Sequence, residues 1–215
     1  GVIQSYAFSK AGMAKRCLVI GAESLSRVVD QHDRDSMIYS DGAGAVVLQS
    51  DTEAKPGQGI LNHLSATFAY DEAHFIYFGE SYKKEDSSAR KYIKMYGRKI
   101  YEFAISNVPA AMKECLDNAN IPIEALKKVF IHQANEKMDE AIVKRFYRLY
   151  KTAVPDGIMP MTIHKFGNSS VATVPTLFDL IRKGVIKEHN LSKGDVIIFA
   201  SVGAGMHINA IVYKY

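Results

Sequence analysis

The feature that most constrains the fold is an exchange of helical and extended apolar patterns along the second half of the chain. From Lys99 to Ala119 the residues Ile100, Phe103, Ala104, Val108, Ala111, Met112 and Leu116 fall at helical spacing. A strand follows at 128–131, a helix at 136–149, a short strand near 158–161 and a helix at 170–183. Two last strands, 195–201 and 207–213, are joined across Gly203-Ala204-Gly205. Strands alternating with helices predict an α/β layered architecture. The final connection is too short for a crossover, so those two strands should pair antiparallel and make the sheet mixed.

The first half is less regular. Val2 to Met13 reads as the tail of a helix already under way, ending near Gly12 with no N-cap before it, as if the chain were cut there. Two apolar runs, 17–22 and 43–48, flank a polar loop containing Asp30, His32, Asp33 and Arg34. The second run follows Ser40-Asp41-Gly42-Ala43-Gly44, where small residues permit close backbone approach. Residues 51–59, rich in Asp, Lys, Pro and Gly, mark the clearest boundary, which divides the chain into 1–52 and 53–215. A strand is expected at 59–70. Residues 71–91, with the Lys-Lys-Glu-Asp-Ser-Ser run at 83–88, read as a solvated loop.

Bulk properties exclude several classes. A chain of 215 residues, 47% hydrophobic and 23% charged, can build a globular core. No apolar run approaches the roughly 18–20 residues that span a bilayer, and no signal segment opens the chain, so a cytoplasmic protein without membrane contact is expected. A net charge of +4, with no basic run interleaved with aromatics, argues against nucleic acid and suits a negatively charged partner. The two cysteines, Cys17 and Cys115, are too few for a disulfide framework. Both read as buried apolar residues, without the surroundings of an activated thiolate. His132, His164 and His207 lack the types and spacing of a metal site.

Two short stretches carry the chemistry: Ile131-His132-Gln133-Ala134-Asn135 and His164-Lys165-Phe166-Gly167-Asn168-Ser169-Ser170. Each puts a neutral hydrogen-bonding side chain where a buried strand would end and a helix begin, so His132 and Asn168 can donate to one developing oxyanion. Taken singly, His132 fits a satisfied structural histidine, Gly167-Asn168 a turn, and Gly203-Ala204-Gly205 a tight turn. No helix opens after that last loop, so it is not a dinucleotide fingerprint.

Their conjunction is distinctive. In this order, together with Asp41-Gly42-Ala43-Gly44-Ala45 and Met95-x-Gly97 followed by Phe103-Ala104, the motifs resemble those of the β-ketoacyl-acyl-carrier-protein synthase III family. The resemblance covers essentially the whole chain and implies a thiolase-like layered fold: the end of its first half (1–52) and its complete second half (53–215). It implies that His132 and Asn168 bind the thioester carbonyl of a malonyl group and stabilise the enolate left by decarboxylation. The backbone N–H of Ala204, where the family commonly has Gly, would help form a second oxyanion hole. Arg34 matches a contact to the nucleotide end of coenzyme A, or is a solvated loop residue. Tyr39 and Tyr101 match the acyl and pantetheine channel, or pack the core. Lys137, Lys144 and Arg145, with Arg148 and Lys151 beyond, match a helix that docks the acidic acyl-carrier protein, or solubilise their face.

The resemblance further implies decarboxylative Claisen condensation of an acyl-CoA primer with malonyl-acyl-carrier protein in fatty-acid initiation. It implies no cofactor beyond those thioester substrates, and a homodimer. The family's nucleophilic Cys, set at a helix N-terminus whose dipole would lower its pKa, has no counterpart here. Counting back places it shortly before Gly1, so a C-terminal portion, inactive alone, is expected. The alternatives are a specialised relative that joins other acyl units in secondary metabolism, a non-catalytic piece that binds carrier protein or completes a dimer, and a fragment with no function of its own.

Overall fold

The structure is a computed structural model describing residues 1–51, 57–83, 85 and 89–215. The expected boundary at 52/53 and most of the charged run at 83–88 lie outside the described residues.

In chain order the elements are α1 (Val2–Lys10), β1 (Arg16–Ser24), β2 (Asp41–Gln49), β3 (Gly59–Thr67), β4 (Ile76–Gly79), β5 (Tyr92–Met95), α2 (Gly97–Asn118), β6 (Leu126–Ile131), α3 (Glu136–Leu149), α4 (Ile163–Phe166), α5 (Thr173–Arg182), β7 (Val196–Gly203) and β8 (His207–Lys214). Short 3-10 turns occupy Leu25–Arg27, Arg34–Ile38, Ile123–Ala125 and Ser170–Ala172. The main sheet has the order β3-β8-β7-β6. β7 and β8 pair antiparallel across the Gly203–His207 turn, and β6 lies parallel to β7, so the sheet is mixed as expected.

Strand alternation sends side chains to two layers. Val129 and Ile131 of β6, with Ile198 of β7 and Ile208 of β8, join Phe103, Met112, Leu116, Ile142 and Phe146 of α2 and α3 in one core. The intervening Phe130 and Ile197 meet Leu177 and Ile181 of α5 in another. Burying one such aliphatic or aromatic side chain is worth roughly 1.5–3 kcal/mol. The helical spacing of α2 thus serves the sheet directly, with Ile100, Phe103, Ala104, Val108, Ala111, Met112 and Leu116 all buried.

β1 and β2 form a separate antiparallel ribbon in continuous register from Arg16↔Gln49 to Ser24↔Asp41. One face lies against the segment that begins α5. A Cβ on Gly42 would come within 2.8 Å of Ser169 Cβ, and one on Gly44 within 2.6 Å of Pro175 Cγ. The other face leaves Leu18, Ile20 and Val47 more than half exposed.

Three expectations are corrected. The stretch 158–161 is not a strand: Ile158 accepts one bond from the Val129 amide at 2.8 Å, and Pro160 has no N–H to continue a ladder. Residues 71–91 are not simply a solvated loop, since β4 lies within them and pairs with β5. Cys17 is half-buried rather than buried, because its ribbon is covered on one face only, whereas Cys115 is buried as expected.

β5 also carries a buried charge. Lys94 and Asp30, each 2% exposed, pair at 2.6 Å, and Asp33 lies 3.1 Å from the same ammonium. Asp30 further accepts from the Tyr82 amide, the His32 amide and the Ser81 hydroxyl. Burial opposes ionisation of Asp30, but Lys94 and these donors outweigh it and hold the carboxyl well below the usual carboxylate range. This cluster ties the loop before β2 to the β4–β5 hairpin.

Candidate functional site

His132 is the first residue after β6, and its surroundings fix it on both sides. Its backbone N–H donates to Ala200 of β7 at 2.9 Å. The buried Gln133 side chain donates to the Ile131 carbonyl at 3.1 Å and accepts the Thr162 amide at 2.8 Å. Asn135 then caps α3, its Oδ1 accepting the Met138 amide at 3.3 Å. Within this frame, Nδ1 of His132 lies 2.8 Å from the Thr173 hydroxyl. Burial pushes the imidazole down to about 4, so it is neutral at pH 7.

Asn168 is held by the loop that enters β2. Its N–H donates to the Ile38 carbonyl at 2.7 Å, and its carbonyl accepts the Ser40 amide at 2.9 Å. Ser40 Oγ also donates to the Phe166 carbonyl at 2.5 Å. Gly167, at φ +65°, fits where a Cβ would meet the Ile38 carbonyl at 3.0 Å and the Ser40 side chain at 3.2 Å. Asn168 Oδ1 accepts the Ser170 amide at 2.9 Å. A backbone N–H can face only the oxygen of a carboxamide, so Nδ2, with its two hydrogens, is left as the donor. Contrary to the expectation from sequence, Asn168 does not follow a strand. It follows the one-turn helix α4 and leads through the Ser170–Ala172 turn into α5.

The two side chains are linked indirectly, through hydrogen bonds of Thr173 and Ser170. Ser170, in the left-handed region at φ +52°, turns its N–H to Asn168 and its carbonyl to Thr173, whose hydroxyl lies 2.9 Å away. The sequence reading missed Ser170, Thr173 and Gln133. Their signal was present in Gln133 beside His132 and in the small polar run after Asn168, but nothing local shows that they meet.

The remaining expected residues divide between this edge and other surfaces. Tyr39 forms an isolated parallel bridge with Asn168, and its hydroxyl lies 3.7 Å from Met95 Sδ. Burial, with Asp35 and Asp33 nearby, pushes that phenol up to about 12. Ala204 is exposed in the β7–β8 turn. Because β7 runs parallel to β6, this turn emerges at the same sheet edge as His132. Positive φ there is taken by Gly205 and Met206, not by Ala204. Arg34 is exposed at the start of its 3-10 turn, beside the anchored Asp33. Tyr101 is 39% exposed on α2, which rules out simple core packing for it. Lys137, Lys144 and Arg145 all stand on the outer side of α3, opposite the buried Met138, Ile142, Val143, Phe146 and Tyr147, and Lys144 pairs with Glu140 at 3.3 Å. Neither cysteine lies in this group, and burial pushes the Cys115 thiol up to about 11.

Residues 1–67 match the model of 3-oxoacyl-[acyl-carrier-protein] synthase III, and residues 116–215 match that of its C-terminal domain. The chain belongs to the synthase III family. Among curated synthase III relatives, that of Erythrobacter litoralis is 33% identical over 211 residues, which cover 96% of this chain and 60% of the relative. That of Aquifex aeolicus is 33% identical over 210 residues, covering 97% and 60%. The chain therefore spans less than two thirds of the length of these synthases. The crystal structure of the Aquifex aeolicus synthase III superposes with a TM-score of 0.81 at 28% identity, over the whole chain and 62% of that structure. The Thermus thermophilus synthase III gives 0.83 at 24% identity, over the whole chain and 63% of that structure. The fold is the thiolase-like α/β arrangement of synthase III.

Proposed function

We propose that the chain supplies the malonyl-handling half of a condensing enzyme that begins fatty-acid synthesis, joining an acyl-CoA primer to malonyl-acyl-carrier protein. The observation that carries this reading is the fixed pair His132 and Asn168: a neutral imidazole and a carboxamide whose oxygen is occupied by Ser170, linked through Thr173. When the malonyl C–C bond breaks, carbon dioxide leaves and its electron pair passes to the thioester as an enolate. Two neutral donors aimed at the enolate oxygen stabilise that charge, whereas a carboxylate there would repel it. Each such donor is worth about 3–4 kcal/mol of barrier. The enolate carbon then attacks an acyl thioester, forming the new C–C bond and releasing the thiolate. The Ala204 N–H is suited to the oxyanion of that second step.

Cys115 is too deeply buried to carry the acyl group, and Cys17 packs beside α1 with its Sγ 3.9 Å from the Ser5 carbonyl. The reading therefore gives neither cysteine the acyl-carrying role and predicts no acyl-enzyme on residues 1–215. It takes Arg34, Tyr39 and Tyr101 as contacts to the thioester substrates. It assigns the basic face of α3 to acyl-carrier-protein docking, and it carries with it a cytoplasmic homodimer.

Asn168→Ala in the intact enzyme tests the reading. Malonyl-carrier decarboxylation should fall by a factor of about 100 or more while acyl transfer from acyl-CoA persists. Decarboxylation at the parental rate would refute the role given to Asn168.

A further inference from the structure

The Thr173 hydroxyl stands between two acceptors and has one proton to give. Its oxygen lies 2.8 Å from His132 Nδ1 and 2.9 Å from the Ser170 carbonyl. The direction of that proton decides which nitrogen of His132 carries its own. If it points to Ser170, Nδ1 must donate to Thr173, and Nε2 is left with a bare lone pair. If it points to Nδ1, the imidazole proton resides on Nε2.

We propose that Thr173 is a positioning residue: its hydroxyl donates to His132 Nδ1 and so holds the imidazole proton on Nε2, the nitrogen left for substrate. Two observations favour this direction. The Ser170 carbonyl already accepts the Thr173 backbone N–H, so it is satisfied without the hydroxyl. Thr173 is 5% exposed at the start of α5, so its oxygen is held against the ring by a helix packed on the sheet, not by a mobile side chain. His132 in turn is fixed through its backbone to Ala200. The tautomer is thus set by two rigid elements, and only the hydroxyl proton remains to choose. The consequence for the reaction rests on the function proposed above: an imidazole with its proton on Nε2 donates to an enolate oxygen, and the other tautomer cannot.

The test separates the tautomer from the reaction. Long-range proton–nitrogen correlation spectra of the protein labelled with nitrogen-15 in histidine report which ring nitrogen is protonated, and His132→Gln identifies the His132 signals. In the parent, Nε2 should carry the proton and Nδ1 should have the shift of a bare nitrogen. Thr173→Ser should keep that pattern, and Thr173→Val should lose it. A proton on Nδ1 in the parent overturns the proposal, and that spectrum needs no variant to fold. Unchanged His132 shifts in Thr173→Val overturn it as well. In the intact enzyme, decarboxylation should fall by about tenfold or more in Thr173→Val and recover in Thr173→Ser, with KM for the malonyl substrate nearly constant. Should the parent show no decarboxylation at all, the proposed function fails while the spectra still decide the role of Thr173.

Discussion

The amide of Ser40 meets the carbonyl of Asn168 at 2.9 Å, so a residue that leads into β2 holds in place a residue that leads into α5. The contact continues where the glycine-bearing face of the ribbon takes Ser169, Val171 and Pro175 against it. The position of Asn168 therefore depends on packing in a part of the chain far from it in sequence.

Gly44→Ala puts a methyl 2.6 Å from Pro175 Cγ, and Gly42→Ala puts one 2.8 Å from Ser169 Cβ. Overpacking of this kind costs roughly 1–3 kcal/mol. Either variant should lower the denaturant midpoint by that amount. Decarboxylation should fall further than stability alone explains, because the displaced segment carries Asn168.

Asn168→Asp keeps the shape and still accepts the Ser170 amide, but it replaces the Nδ2 donor by a negative charge. Decarboxylation should drop by about 100- to 1,000-fold, with the fold intact by circular dichroism. An equal loss of acyl transfer from acyl-CoA would argue against a role confined to the malonyl step.

Lys94→Met removes the cation between Asp30 and Asp33 and leaves Asp30 buried and unpaired. Breaking a buried pair from one side typically costs about 3–5 kcal/mol, and chemical denaturation should show a loss of that order. Because the Asp30 pKa is depressed in the folded state, its contribution is present above the unfolded carboxylate pKa and fades as pH falls below it.

Asp139 on α3 behaves in the opposite sense. Both carboxyl oxygens are buried and make no hydrogen bond of normal geometry, although the Ala134 and Asn135 amides lie nearby, and burial pushes the group up to about 8. The folded state then keeps a proton that the unfolded chain gives up at lower pH. Stability should fall as pH rises from about 4 to about 8 and level off above. Asp139→Asn should flatten that part of the profile and raise the melting temperature at pH 8. A profile unchanged by the substitution would place the pH dependence elsewhere.

Lys137→Glu combined with Arg145→Glu reverses charge on the outer side of α3 without touching its buried face. In the intact enzyme, KM for malonyl-acyl-carrier protein should rise by about tenfold, mostly through slower association at low salt. KM for acyl-CoA should stay near the parental value.

Much of this arrangement was legible in the sequence, for identifiable reasons. α3 begins at Glu136 and ends at Leu149, the bounds expected from the sequence. The antiparallel β7–β8 pair follows from a connection too short for anything else. His132 and Asn168 stood out only in conjunction with the other ordered motifs, since each alone fits an ordinary structural role. Contacts between distant segments were not legible. Lys94 lies in the short strand Tyr92–Met95, and nothing near it announces Asp30 as its partner. Thr173 reads as an ordinary helix-start residue until β6 and α5 lie together. The 158–161 stretch misled because its apolar content outweighed Pro160 in the reading.

The bonds that define the site join residues far apart along the chain: Ser40 and Phe166 are separated by 126 positions, His132 and Thr173 by 41. Such closures are costly until other structure has already brought the segments near, so they form late. α2 and α3 are built from local spacing and can consolidate early, while the donor pair assembles only once the ribbon, the sheet and α5 have docked. A refolding experiment that recovers helical ellipticity first and the His132 nitrogen signals last would show that order directly. A chain halted at the intermediate would have its full helix content and no organised chemistry.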